Sequence, residues 1–428
     1  MIRYVLMFLV IVATSLYFFP FGLKALPGPN TKMMLAAMGL VVYLMQLGRQ
    51  RGGTVNRDMF FLSLIAASVS LMGFFSITYN NTPDYAYATY LVSMWVWIGG
   101  AYMVIQLMKW AHDKTSVKLV CNYLIAVCVT QCALALFIDM YAPAKVLVDT
   151  YIEQGQEFLD KVERMYGIGA SLDVAGSRFA AVLVMIVFIL LRNDIDKRIY
   201  WVYILTFLII TVVGSMIART TYVGVGVALL YVLYKSKLYT FHIPKAVKRL
   251  CFWLLVFAIV SVPFLTMAYH TVPTVHENLR FAFEGFFNLV EKGEWSIASN
   301  DRLRTMYVFP ETIKTWLIGD GYFSNPRDVD PMFIGKMVGG YYMGTDVGYL
   351  RFIFYFGLIG LVAISAVMCK AVFICGRKFE AWRALFLMLL AVNFIVWFKV
   401  STDIFLVFAL FLMADREEEN DVIPAAKP

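Results

Sequence analysis

The chain has 428 residues, of which 61% are hydrophobic and only 15% charged, and its mean hydropathy is +0.72. These values lie outside the range of water-soluble domains, and the apolar runs are too long and too many for the two or three soluble domains this length would otherwise suggest. The net charge of +8 is spread in a pattern that reports membrane topology and gives no support to a nucleic-acid partner.

Crossing hydrocarbon as a helix takes roughly 17–25 apolar residues. Runs of that kind occur, in chain order, at 2–20, 32–48, 58–79, 86–108, 117–140, 174–191, 199–217, 220–238, 250–269, 346–369, 381–397 and 400–414. The last two read either as separate spans or as one broken helix. Ile, Leu, Phe and Met are mixed without alternation, which predicts helices and not an outer-membrane barrel. Arg3 precedes the first run as in a signal peptide, but no A-x-A site follows, so this segment is expected to be a retained helix. The fold class is therefore all-α and polytopic, a single membrane domain over 1–428 with about twelve transmembrane helices.

Positive charges gather in alternate loops. Arg3, then Arg49, Arg51 and Arg57, then Lys109, Lys114 and Lys118 lie on one side, followed there by Arg192, Lys197 and Arg198, by Lys235 to Arg249, and by Lys370 to Arg383. The short loops on the other side have few, Lys24, Lys32, Arg219 and Lys399, while long outward loops escape the rule. By the positive-inside rule both termini are cytoplasmic. The acidic stretch from Asp415 to Asp421 is expected to be a solvated end. The six cysteines fall in spans or on the cytoplasmic side, and the four histidines, His112, His242, His270 and His276, are scattered. Neither a disulfide framework nor a metal site is expected.

Two outward segments stand out, 141–177 and 270–345; the second is far longer than ordinary connections, a length that usually carries function. Within it, Phe283, Phe287 and Val290 recur at helical spacing over Leu279–Val290, with Arg280 and Glu284 at i, i+4 on another side. This pattern predicts an amphipathic helix at the membrane surface. A second helix is expected to start at Ser299 or Asn300 as a cap and to run through Arg302 towards Trp316, bent or broken at Pro310. Gly319-Asp320-Gly321 and Asn325-Pro326 read as turns.

Charges at the outer membrane boundary are costly unless paired or used; here they are Asp173, Arg178, Arg219, Asp346 and Arg351, with Arg302 and Arg304 on the loop above. Arginine suits phosphate because its planar fork donates two parallel hydrogen bonds and stays protonated. Several arginines can neutralise a leaving diphosphate, and a nearby carboxylate such as Asp346 can take a proton from an attacking hydroxyl. Simpler roles compete: a boundary arginine can be a snorkelling anchor, and Asp346 can cap its helix or pair with Arg351, a little over one turn on.

Three stretches carry a family likeness. One is Val213-Gly214-Ser215-Met216-Ile217-Ala218-Arg219-Thr220-Thr221. The second is Asn300-Asp301-Arg302, leading through Trp316 to Leu317-Ile318-Gly319-Asp320-Gly321-Tyr322. The third is Thr345-Asp346-Val347-Gly348-Tyr349-Leu350, followed by Tyr355-Phe356-Gly357-Leu358-Ile359-Gly360. In order and spacing the chain resembles the O-antigen polymerase and O-antigen ligase superfamily, by motif over about 170–365 and by layout over its whole length. The resemblance implies a GT-C-like architecture in the bacterial inner membrane. It also implies a metal-independent and cofactor-free glycosyltransferase acting at the periplasmic face on undecaprenyl-diphosphate-linked glycans as donor and acceptor. Membrane lipids and a chain-length regulator are the further partners it suggests. Carried over by position, Arg219, Arg302 and Asp346 would be catalytic, with Arg178, Arg304, Arg351, Asp173 and Tyr349 binding substrate. Ligases of the family typically have His where this chain has Asp346, which favours the polymerase over a ligase acting on lipid A core. A transporter or flippase, the reading from a different class, would place charge at mid-membrane, where most of these spans have none.

Overall fold

A computed structural model describes residues 2–49, 56–155, 159, 164–192, 197–237, 243–335 and 338–416. The predicted Arg51 and His242, and the acidic end beyond Arg416, lie outside them. The chain forms a helical membrane protein. Eight helices are long and apolar enough to cross a bilayer, and Arg3–Phe18 and Thr221–Ser236 are shorter apolar helices.

In chain order the helices of the bundle are α1 (Ile2–Phe18), α2 (Thr31–Arg49), α3 (Arg57–Asn80), α4 (Tyr90–His112) and α5 (Val117–Met140). After the first large loop come α7 (Leu172–Leu190), α8 (Lys197–Ile217), α9 (Thr221–Ser236) and α10 (Lys245–Thr271). After the second come α16 (Gly348–Lys378), α17 (Arg383–Val396) and α18 (Phe405–Met413). Each apolar run read from the sequence contains a helix, and the last two are separate helices joined through Trp397–Ile404.

The core forms around the two helices that can afford no polar face. From Ala175 to Leu190 every residue of α7 is buried, and so is nearly all of α18. Small residues let their neighbours approach. A Cβ on Gly224 of α9 would lie 2.4 Å from the Ala180 backbone of α7, and one on Gly39 of α2 would lie 2.1 Å from the Gly99 carbonyl of α4. Close backbone approach of this kind replaces the hydrophobic drive that lipid does not supply. By contrast α10 buries only Val247 and Leu250, both near its start.

A small antiparallel sheet ties two outward connections together. Its strands β1 (Gly22–Leu23), β2 (Leu26–Asn30) and β3 (Ile152–Glu153) lie in the order β2-β1-β3, with the helix α6 (Ala142–Tyr151) leading into β3. The 141–177 segment therefore sits at the same end of the bundle as the first loop. At the opposite end Asp415 is no solvated tail residue: it pairs with Lys109 at 2.6 Å and accepts hydrogen bonds from the Thr115 amide and hydroxyl.

The long loop differs from its sequence reading in two places. The expected amphipathic helix over Leu279–Val290 is two helices, α11 (Pro273–Ala282) and α12 (Glu284–Lys292), because the backbone leaves helical geometry at Phe283 (φ −107°, ψ 26°). Arg280 and Glu284 consequently do not pair with each other; Arg280 pairs with Glu291 and Glu284 with Arg219. The helix expected to run towards Trp316 is broken around Pro310, as the sequence allowed, into α13 (Ala298–Thr305) and α14 (Ile313–Leu317), and the departure is at its start. The cap position of α13 is Ile297, which offers no side-chain acceptor, and Ser299 serves Arg219 instead. A last short helix, α15 (Pro326–Val329), is capped by Asn325.

Candidate functional site

The turn between α8 and α9 places Arg219. Gly176 lies against Ala218, Thr220 and Thr221, and the Thr221 hydroxyl donates to the Gly214 carbonyl at 3.0 Å, so the turn is pinned to α7 and its one long side chain leaves outward. There Arg219 spends its donors on the loop: Nε on the Phe281 carbonyl at 2.8 Å, Nη1 on Ser299 Oγ at 2.8 Å, and Nη2 on Glu284 Oε2 at 2.5 Å. Its guanidinium stacks on the Phe281 ring at 3.9 Å, and Arg164, from the first outward segment, covers the same ring at 4.5 Å. Arginine over an aromatic face is favourable electrostatically and leaves the edge of the fork free to donate.

Around this turn opens a cavity of about 560 Å³ lined by Arg164, Arg219, Arg280 and Arg302 together with Glu284, Ser299 and Asn288. Arg280 is held by both oxygens of Glu291 at 2.8 and 2.6 Å, and that bond keeps the Glu291 carboxyl below its usual range. Arg302 lines the cavity with no hydrogen-bond or ion-pair partner among the described residues. Among the described residues Glu284 and Glu291 pair with Arg219 and Arg280, and two of the four lining arginines, Arg164 and Arg302, make no ion pair. An anion is the ligand such a cavity selects.

Asp346 lies just before α16. It does not cap that helix: the cap position is Val347, which has no side-chain bond to the helix, and the Val347 amide goes to Thr345 Oγ1 at 3.2 Å. Among the described residues Asp346 has no hydrogen bond and no ion pair. Burial pushes its carboxyl above the ordinary range, with the charges of Arg351 and Arg302 pulling it back. A partly buried carboxylate with free oxygens is able to accept a proton.

The other residues chosen from the sequence divide clearly. Asp173, in the first turn of α7, is already engaged by Lys399 Nζ at 2.8 Å and by the Thr220 hydroxyl. Arg351 is buried; it donates to Ser401 Oγ at 2.7 Å and the Phe323 carbonyl at 3.0 Å and stacks on Phe323 and Tyr341. The expected direct pair with Asp346 does not form. Tyr349 turns towards α17, donating to the Phe394 carbonyl at 2.9 Å and packing on Trp397 and Phe398. Arg178 is inside the bundle, beside the rings of Phe18 and Phe19, with its Nε unpartnered. Arg304 points to water, its side chain 83% exposed, and meets only Asp301 at 3.5 Å. The cavity thus unites Arg219 and Arg302, with Asp346 within electrical reach of Arg302. Arg164, Arg280 and Glu284 were not among the residues chosen, and Arg280 and Glu284 carried only a helix-surface signal.

Two of the sequence stretches that carry the resemblance meet directly. At Phe356 and Gly357 α16 leaves helical geometry, with Gly357 at φ 71°, ψ −173°. The break frees carbonyls that helix geometry would have used. The Gly319-Asp320-Gly321 turn fills it: the Asp320 amide donates to the Phe354 carbonyl at 2.6 Å and the Gly321 amide to the Tyr355 carbonyl at 3.2 Å. Ser76 adds a hydroxyl to Tyr355 at 2.6 Å, and Asn80 holds the Gly319 carbonyl at 3.2 Å. Gly357 is required twice over, by its dihedrals and because a Cβ would lie 2.1 Å from the Leu317 carbonyl. This joint fixes the return of the long loop to the bundle, and with it the approach of Asp346.

No family model matches the chain, and neither a curated protein nor a solved structure does.

Proposed function

We propose that the chain is a metal-independent glycosyltransferase of the inner membrane that polymerises undecaprenyl-diphosphate-linked repeat units into O-antigen or a related surface polysaccharide at the periplasmic face. The observation that carries this reading is a cavity with two arginines that make no ion pair among the described residues, one of which, Arg302, acts electrostatically on Asp346, a carboxylate without a partner among those residues. In the proposed reaction the donor's diphosphate lies in the cavity against Arg302, Arg219 and Arg164. The acceptor sugar's hydroxyl gives its proton to Asp346 while its oxygen bonds to the donor's anomeric carbon. The bond from that carbon to the diphosphate oxygen breaks, and the electron pair stays on the diphosphate, where the arginines stabilise it. In this reading the two shorter apolar helices, with α17 and α18, complete about twelve crossings in a GT-C-like arrangement. Both termini are then cytoplasmic.

Surface glycan length in a strain lacking the protein tests the proposal. Lipopolysaccharide with a single repeat unit supports a polymerase, complete loss of glycan attachment points to a ligase, and normal chain lengths remove both. Within the site, Arg302→Ala and Arg219→Ala are each expected to lower polymer formation by about 10²–10³-fold, the usual cost of one lost donor to a developing oxyanion. The protein should still reach the membrane. Arg302 gives the cleaner result, because Arg219 also ties the loop helices to the bundle.

A further inference from the structure

We infer that Glu284 is a displaceable internal anion, seated where phosphate binds, which restricts the cavity to ligands carrying more than one negative charge; the inference rests on the diphosphate reading above. The Glu284 carboxylate spans the two donors an anion would use. Its Oε2 is 2.5 Å from Arg219 Nη2, and its Oε1 accepts the amide of Ala298, at the start of α13, at 3.1 Å. Phosphate oxygens bind guanidinium forks and helix-terminal amides in the same way. The remaining donors of Arg219 are fixed by Phe281 and Ser299, so the fork keeps its place when Glu284 swings out. The Glu284 side chain is 24% exposed and faces the cavity, within reach of a ligand.

The exchange has a charge-dependent yield. A membrane surface offers abundant phosphodiester head groups with one charge each, and an open pocket of arginines would fill with them. Swapping Glu284 for a single charge leaves the cavity's excess unchanged and gains little. A diphosphate brings further charge to Arg302 and Arg164, neither of which makes an ion pair among the described residues, and wins the exchange. Selectivity here comes from a built-in rival that weak competitors cannot displace, a difference of affinities with a repulsive element.

The test is calorimetric titration of the full chain in nanodiscs of zwitterionic lipid, with inorganic pyrophosphate and with dimethyl phosphate. The wild type is expected to bind pyrophosphate at least about tenfold more tightly than dimethyl phosphate. Glu284→Gln should tighten dimethyl phosphate by about tenfold and pyrophosphate by less, collapsing the ratio. Phosphatidylglycerol added to the nanodiscs should then compete with pyrophosphate in the variant only. Farnesyl diphosphate separates a lipid-linked ligand from a free one, since both displace Glu284 and only the first gains from its chain. An unchanged ratio, or weaker binding of both probes by Glu284→Gln, overturns the inference and leaves Glu284 as a strut for Arg219. Equal pyrophosphate binding by wild type and Arg302→Ala would instead remove the diphosphate reading. Should Glu284→Gln not fold, carbodiimide labelling of wild-type Glu284 decides: pyrophosphate raises it if the residue is displaced, and protection by pyrophosphate overturns the inference.

Discussion

Arg302 and Arg351 begin from the same sequence argument, a cation at the outer edge of the bundle, and end in opposite situations. Arg302 stands on the loop helix α13 and lines an arginine-rich cavity, and its guanidinium has no partner among the described residues. Arg351 stands one turn inside α16, buried, with its fork consumed by Ser401 and Phe323 and its face covered by two rings. The difference is one of satisfaction, not of charge. A buried cation whose terminal donors are bonded, as both are in Arg351 although its Nε has no partner among the described residues, contributes to the fold, whereas a cation with free donors beside a cavity can still bind something. The same contrast divides the carboxylates: Asp173 is taken by Lys399 and Thr220, and Asp346 has no partner among the described residues.

The strongest way to break this division is to remove the free carboxylate. Asp346→Asn is expected to lower the polymerisation rate by about 10²–10⁴-fold, the usual contribution of a general base, with the thermal unfolding midpoint in detergent unchanged. The pH dependence carries a definite sign. A base acts when ionised, and burial raises the Asp346 pKa, so the rate should fall on acidification at a pH above that of an ordinary aspartate, about 3.9. Arg302 opposes that rise, so the residual activity of Arg302→Ala should lose its rate at still higher pH. A rate–pH profile of purified protein on lipid-linked glycan measures both. An Asp346→Asn variant with wild-type rate would end the base assignment.

Arg351→Ala should do the reverse, acting on stability first. It strands the Ser401 hydroxyl and the Phe323 carbonyl in a buried place and removes two stacking contacts. Buried polar groups left without partners cost about 1–3 kcal/mol each, so a clear drop in the unfolding midpoint is expected. The protein that remains folded should keep most of its activity. Loss of activity at full stability would move Arg351 from the scaffold into the site.

How far this was legible beforehand follows from what each signal measures. Apolar run length is set by bilayer thickness, so the eight helices long and apolar enough to cross a bilayer all fall on runs read from the sequence, and 117–140 coincides with α5 residue for residue. Small residues around Arg219 and a glycine pair at 319 and 321 mark tight turns by composition alone, and both turns are there. Partnership is different, because it depends on where the chain bends between residues. The i, i+4 spacing of Arg280 and Glu284 predicts a surface pair only if one helix carries both, and the break at Phe283 sends each to another partner. Arg164 reaches the cavity from a segment more than fifty positions before Arg219, which no local pattern can announce. Nor does a sequence say which boundary charges are already satisfied, and Asp173, Arg351 and Asp346 look alike until Lys399, Ser401 and Thr345 are seen beside them.

Arg304 gives the smallest effect and the most economical control. It lies two positions from Arg302 on the same short helix, so its side chain leaves α13 in a different direction, and it is 83% exposed with only the loose contact to Asp301 at 3.5 Å. An exposed pair of this kind contributes about 0–1 kcal/mol. Arg304→Ala is therefore expected to change both polymer yield and unfolding midpoint within experimental error, while Arg302→Ala lowers the first by about 10²–10³-fold. If general positive charge on the loop were what mattered, by drawing anionic lipid to the surface, the two substitutions would act alike, since each removes one unit of charge from the same turn. Equal losses would argue against a geometrically defined phosphate seat, and the wide separation expected between them argues for it, because only one of the two side chains reaches the cavity.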